Sequence, residues 1–333
     1  IPSYRLPKDI LAAEIDEIKA LGVEIKCNTK IDSLDQLKND GYDATFLAIG
    51  AQEAMTLGVE GDDSPRVITC LDFLQDVNLD REVKLGDRVA VIGGGNAAID
   101  SARTSLRLGV KEVHMFYRRT RAEMPANVEE IEEALHEGIQ INYLMAPTKI
   151  ADNGGSVSLE CIQMKLGEPD ASGRRSPIPI EGSESSTDFD TIIAAIGQRP
   201  EDPGKYNVTT GRGNRIEADK ETMATSQAGV YAGGDVVTGP ASVIEAIAHG
   251  RKAATAIDKY LGGDGDIDES LAPLENTVAV SDDPEKKLQP EMAAIALDRR
   301  ICSFDQVELG YSKDDAMGEA SRCFRCDLEL LDE

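Results

Sequence analysis

Basic residues are scarce in this chain. Lys and Arg total 35 against 61 Asp and Glu, giving a formal charge of −26 and a pI of about 4.5. Nucleic-acid affinity rests on clustered cations that release counterions, and anionic lipid selects the same cations, so this balance argues against both partners. Long apolar runs are absent too; none approaches the ~18 residues of a membrane helix, and no secretory signal is evident. Cysteines number six, at positions 27, 70, 161, 302, 323 and 326, too sparse for a disulfide framework. The four that stand alone are expected to be small core hydrophobes. His114, His136 and His249 lack metal-ligand spacing, and His114 and His249 are expected to be satisfied packing groups. Together these absences predict a very soluble cytoplasmic chain in a reducing compartment.

The 333 residues suffice for about two domains with a sizeable core. Leu11, Ile15, Ile18 and Leu21 recur at helical spacing before Gly22, predicting a helix over 10–21, with a short strand at Val23–Cys27. Residues 42–50 read as a buried strand ending in Ile49-Gly50. The clearest unit follows: strand Asp87–Ile92, tight turn Gly93-Gly94-Gly95-Asn96, helix Ala97–Leu108 and strand Val113–Tyr117, a βαβ unit. A helix over 128–137, a strand over 139–143 and an antiparallel meander from Val157 are expected next. Residues 188–197 repeat the pattern of 42–50 and end in Ile196-Gly197. That echo suggests two related dinucleotide-binding domains. Gly229–Asp235 reads as another strand, leading into a helix over 241–260. Residues 261–291 read as an extended acidic linker before a tail containing Cys323-Phe324-Arg325-Cys326.

Gly93-Gly94-Gly95-Asn96-Ala97-Ala98 is a G-x-G-x-x-A fingerprint with a strand before and a helix after it. Gly93 makes the turn, Gly95 admits a pyrophosphate, and Ala98 allows close helix–strand packing. Free N–H groups and the helix dipole then face the phosphates. At the end of the second strand an acidic residue would bind a ribose hydroxyl, whereas Arg accommodates a 2′-phosphate. Tyr117-Arg118-Arg119 stands there, so NADP is expected over NAD, against the alternative of two solvated surface arginines. Gly233-Gly234-Asp235 is weaker alone, being a common turn, but it follows an apolar strand and precedes a helix start.

Taken in order, Ile1–Pro7, Ala48–Ala51, Val91–Asp100, Tyr117–Arg119, Met124-Pro125, Ala195–Pro200 and Gly233–Asp235 resemble the family of the glutamate synthase small (beta) subunit. The set is also similar to the flavin segment of dihydropyrimidine dehydrogenase. The resemblance covers about residues 1–260. It implies an α/β fold of two Rossmann-like domains of the pyridine nucleotide-disulfide oxidoreductase kind. The implied activity is that of an NAD(P)H-dependent FAD oxidoreductase: hydride passes from NADPH to flavin, and single electrons leave to iron–sulfur clusters. Residues 79–197 would form the NADPH domain, 1–78 and 198–262 two segments of a discontinuous FAD domain, and 263–333 the linker and tail. The N-terminal half of that FAD domain would lie outside these residues, since the chain opens at Ile1-Pro2 without a Met.

By the same resemblance Gly94, Gly95, Asn96 and Ala97 lie on the NADPH pyrophosphate, with Arg118 and Arg119 on the 2′-phosphate. Ala195, Ile196 and Gly197 line the nicotinamide. Arg5, Ile31 and Gly50 fall on the flavin side, Asp235 on the ribityl chain, and Gly234, Ala241, Ser242 and Val243 around the flavin. No catalytic side chain is nominated, because hydride transfer between two bound cofactors needs positioning more than acid–base groups. The tail is similar to those of family members associated with hydrogenases and formate dehydrogenases. Cys323 and Cys326 are half a tetrahedral set, so a [4Fe-4S] cluster would draw further ligands from elsewhere. A redox-active dithiol and two inert thiols are the rival readings. The expected partner is a larger redox subunit or a ferredoxin. A stand-alone disulfide reductase using the two cysteines, or an NADP-sensing module without chemistry, are the alternatives.

Overall fold

The computed structural model describes residues 1–170, 173–267 and 289–321. Helices α1 (Lys8–Ala20) and α2 (Leu34–Asn39) precede three short strands, β1 (Thr45–Leu47), β2 (Glu53–Ala54) and β3 (Val67–Thr69). Helix α3 (Cys70–Asn78) leads to β4 (Arg88–Ile92), α4 (Asn96–Arg107), β5 (Glu112–Tyr117), α5 (Val128–His136) and β6 (Gln140–Tyr143). Next come β7 (Met145–Asp152), β8 (Val157–Pro169), β9 (Arg175–Pro179), β10 (Ser185–Phe189) and β11 (Thr191–Ala194). The chain continues through β12 (Gln198–Arg199), β13 (Val230–Ala232), α6 (Asp235–Thr238), α7 (Val243–Tyr260), α8 (Leu297–Arg300) and α9 (Lys313–Ala320).

Strands β3, β11, β4, β5 and β6 form a parallel five-stranded sheet in that order. Strand alternation sends β4 side chains to both faces. Val89 and Val91 pack with Phe73, Ile99, Met115, Ile131 and Ile193 in a cluster that includes the helical layer. Ala90 and Ile92 pack with Ile150, Val157, Leu159 and Phe189 of the antiparallel strands. With both faces covered, an almost continuously apolar strand is what a parallel sheet requires. The antiparallel sheet runs β10-β8-β7, with β9 on the far half of β8. A separate unit pairs β1 with β13 in parallel, its core formed by Leu34, Leu47, Ile216, Val230, Ala232 and Val236.

Most expected elements form, and several expectations need correction. Residues 23–27 make no strand: Val23 and Ile25 are exposed, and no described strand lies beside them to supply a ladder. The 42–50 segment contributes three strand residues, of which only Leu47 is buried, because β13 is its one described neighbour. Helix α1 forms as patterned, yet Leu11 and Ile18 stay exposed and no residue of it is buried. Of the four isolated cysteines, Cys70 and Cys161 are buried but Cys27 and Cys302 are exposed. The linker reading falls mostly on residues 268–288, outside the described residues. No described helix is long and apolar enough to cross a membrane.

Candidate dinucleotide and flavin sites

Three glycines in a row do three different jobs. At Gly93 (φ +150°) an added Cβ would stand 2.2 Å from the Ala195 carbonyl oxygen, so only glycine lets the ends of β4 and β11 meet here. At Gly94 a Cβ would lie 2.5 Å from the Tyr117 ring. At Gly95 the nearest atom is Pro125 Cγ at 3.8 Å, leaving that face open. Gly95 begins α4 without a side-chain cap; Ala98 N bonds the Gly95 carbonyl at 3.0 Å, so the N–H groups of Asn96 and Ala97 are left for an outside acceptor. Asn96 is exposed, its Oδ1 accepting from Asn127 N at 3.0 Å. Ala98 is fully buried against the turn. An open, uncapped cradle of this shape fits a dinucleotide pyrophosphate.

The arginine pair divides. Arg118 is exposed and has no ion pair among the described residues. Arg119 is 4% exposed: its Nε donates to the Arg175 carbonyl at 2.7 Å and its Nη2 to Asp170 Oδ2 at 2.6 Å. The two arginines, in the bend just past β5, therefore have different surroundings, one open to solvent and one packed against the β8–β9 end.

The structure brings Ala195, Ile196 and Gly197 next to the fingerprint, with Ala195 N bonded to Ile92 O at 2.8 Å. Ile196 remains 41% exposed. Gly197 (φ +134°) accepts from Met55 N at 3.0 Å, and exposed Met55 places its sulfur 3.1 Å from where a Gly197 Cβ would lie. Sequence reasoning missed Met55, since no motif marks it.

On the flavin side, Gly50 has φ +70° and Gly233 N bonds Leu47 O, setting the Gly-Gly-Asp turn beside β1. Gly234 N–H donates to His249 Nδ1 at 3.0 Å, which makes His249 part of this turn rather than generic packing. Asp235 Oδ1 accepts from Ala241 N at 3.1 Å. Ser242 caps α7, exchanging hydrogen bonds with Glu245. Ala241, Ser242 and Val243 are exposed, as are Ile244 and Ile247 farther along α7. The Ile31 carbonyl accepts from Tyr206 Oη at 3.2 Å. Arg5 is committed elsewhere, with Nη1 2.9 Å from Asp100 Oδ1 and Nε 2.8 Å from Glu130 Oε1.

That last pair belongs to a buried ionic cluster along α4. Tyr4, 1% exposed, has Arg107 3.8 Å and Arg103 5.1 Å from its ring centroid. Both arginines grip Glu137, at 2.7 and 2.8 Å. Burial raises the Asp100 carboxyl above the ordinary range despite the attraction of Arg5. His114 departs from expectation: its Nε2 is buried without a hydrogen-bond partner, and burial followed by the Arg88 charge holds its pKa down. Cys161 is pushed up to about 12 by burial, an inert thiol. Cys323 and Cys326 lie outside the described residues.

An uncapped glycine cradle on a doubly covered parallel sheet, joined to a second glycine-turn unit, defines a two-domain dinucleotide oxidoreductase. The chain belongs to the pyridine nucleotide-disulphide oxidoreductase family, whose sequence pattern matches residues 8–250. This family binds FAD and NADP, and the expected fold and cofactor classes stand. The chain is 43% identical over 346 residues to the NADP(+)-dependent formate dehydrogenase subunit beta of Moorella thermoacetica, covering 98% of this chain and 48% of that protein. It is 36% identical to the NADPH-Fe(3+) oxidoreductase subunit beta of Geobacter sulfurreducens, covering 98% and 55%. Against a putative glutamate synthase [NADPH] small chain of Cereibacter sphaeroides it is 37% identical, covering 78% and 67%, in line with the resemblance read from the motifs. The first two relatives are thus spanned over only about half their length. Among solved structures, FprA from Mycobacterium tuberculosis superposes with a TM-score of 0.60 at 19% identity, covering 71% of this chain and 68% of FprA, a likeness of fold.

Proposed function

We propose that this chain is the NADPH-oxidising flavin portion of an electron-input subunit, handing electrons to iron–sulfur centres of a larger cytoplasmic redox assembly or to a ferredoxin. The observation that carries the reading is the open Gly95 face at the uncapped start of α4, with exposed Arg118 ending the neighbouring strand. When bound, NADPH supplies a hydride and FAD accepts it, releasing electrons one at a time. Within this reading Gly95 and the first-turn N–H groups of α4 hold the pyrophosphate, and Arg118 holds the 2′-phosphate. Ile196 and Met55 offer an apolar floor that keeps water from the nicotinamide. Gly234, Asp235 and the start of α7 hold the flavin's polar chain. Residues 79–197 act as the nucleotide domain; 1–78 and 198–262 act as the flavin side. The exposed apolar faces of α1 and α7 support a flavin domain completed by chain outside these residues. The names of the Moorella and Geobacter relatives, both subunits, support a partner-dependent role, and Cys323 and Cys326 would serve as ligands of a cluster on the outgoing path.

The test is Arg118→Ala. Loss of a charge-assisted contact, about 1.5–3 kcal/mol, should weaken NADPH by roughly ten- to a hundredfold and leave NADH nearly unchanged. Equal losses for both nucleotides overturn the assignment.

A further inference from the structure

The antiparallel strands are more than cover for the sheet. β8 and β9 form a hairpin whose outer end closes through Asp170 N to Arg174 O, 2.7 Å, and pairs Pro169 with Arg175. Arg119 fastens that end to β5: one nitrogen meets the Asp170 carboxylate, another the Arg175 carbonyl. Its own carbonyl accepts from Leu144 N, and the Leu144 carbonyl accepts from Met164 N of β8, so backbone and side chain stitch the same two pieces together. On the other side of Arg118, Tyr117 lies against Gly94, and its hydroxyl donates to the Glu123 carbonyl at 2.6 Å. Glu123 closes the turn by accepting from Thr120 N. Arg118 is therefore an exposed side chain on a backbone held from both flanks.

We propose that Arg119 is a positioning residue for NADP(H) selectivity: it clips the β8–β9 hairpin to the end of β5 and so fixes Arg118, the arginine that meets the 2′-phosphate. This rests on the NADPH reading above. A long arginine side chain loses much conformational freedom when it grips a ligand, and a backbone fixed beforehand lowers that cost. Arg119 itself is spent. Its buried guanidinium is held by the Asp170 carboxylate and the Arg175 carbonyl, and turning it toward a phosphate would give up both contacts.

Direct contact and clipping predict opposite signs for Asp170→Asn. Were Arg119 a phosphate ligand, removing its competing carboxylate would tighten NADP+. As a clip, the same change loosens Arg118 and weakens NADP+ about fivefold, the scale of one hydrogen bond, with NAD+ within about twofold. Calorimetric titration of NADP+ and NAD+ into the full-length protein, Asp170→Asn, Arg119→Lys and Arg118→Ala reads this without turnover. Selective weakening of NADP+ in both clip variants is the expected result. Unchanged or tighter NADP+ binding in Asp170→Asn overturns the proposal, and so does equal weakening of both nucleotides. Should Arg119→Lys not fold, Asp170→Asn, with its carboxylate 31% exposed, still decides. An Arg118→Ala protein that keeps the wild-type preference for NADP+ overturns the underlying site reading instead, whatever the clip variants do.

Discussion

Arg5 Nη1 lies 2.9 Å from Asp100 Oδ1, joining the segment before α1 to the helix that starts at the dinucleotide turn. The same guanidinium reaches Glu130 on α5. A residue placed on the flavin side by family resemblance thus grips α4 and α5, which belong to the proposed nucleotide side. Arg5→Ala should leave the NADPH dissociation constant within about twofold while slowing flavin reduction about tenfold or more, because small misplacements are costly for a transfer step. Stopped-flow reduction with a parallel binding titration separates the two. A rate loss matched by an equal loss of binding would count against a positioning role.

Glycine substitutions should separate along the turn. Gly95→Ala meets nothing closer than 3.8 Å, so its melting temperature should stay near wild type while nucleotide binding falls. Gly93→Ala places a methyl 2.2 Å from the Ala195 carbonyl oxygen at a positive φ and should fail to fold stably. A Gly95→Ala protein that melts early and binds normally would reverse the two roles.

Acid should undo the cluster behind α4. Burial pushes the Glu137 carboxyl up, but hydrogen bonds from Arg107 and Arg103 outweigh it and hold it below the ordinary 4.5. A carboxylate depressed in the folded state contributes stability that is complete above that ordinary value and lost as pH falls through the folded one. Asp100, raised by burial, works in the opposite sense, so comparison with Glu137→Gln isolates the Glu137 share. The variant should lose about 3–5 kcal/mol at neutral pH, the cost of breaking a buried ion pair. Its stability should also fall less steeply than that of wild type below about pH 4.5. Parallel pH slopes for the two proteins would argue against the assignment.

His249→Ala removes the acceptor for Gly234 N–H. The freed donor sits in the Gly-Gly-Asp turn, so FAD affinity of the full-length protein should fall about fivefold or more, with NADP+ binding unchanged. Equal effects on both cofactors would make His249 a general packing residue.

Cys323→Ser should remove iron from anaerobically purified full-length protein and halt electron transfer beyond the flavin, with flavin reduction by NADPH near normal. Iron retained at the wild-type level would leave the tail without a ligand role.

The βαβ unit was legible because fingerprint glycines, apolar strands and helix pattern agree over residues 87–117. The contrasting surroundings of Arg118, exposed, and Arg119, buried against Asp170 and Arg175, were not legible, because the local sequence shows only two adjacent arginines beyond the strand. What could not be read is tertiary. Arg103, Arg107 and Glu137 carry the polar signature of a solvated helix face, and they are buried because Tyr4, Glu130 and Glu133 arrive from other parts of the chain. Val23–Cys27 has strand composition, but a strand exists only where another supplies its ladder. Met55 and His249 join the sites by contacts that no local pattern encodes.

The segment before α1 is stitched to residues 300–307. Val307 N bonds the Tyr4 carbonyl at 3.0 Å, Phe304 stands 6.3 Å from the Tyr4 ring, and Arg300 pairs with Glu133 of α5. Tyr4 and Val307 are 303 positions apart, a contact of very long sequence separation. On the ribosome, Tyr4 is made 303 residues before Val307 and waits for it. The parallel sheet, built from residues 67–194, can assemble first, and the seam over Tyr4 closes last. A product stopped before residue 300 would carry the parallel sheet with the buried charges of α4 still lacking their outer cover.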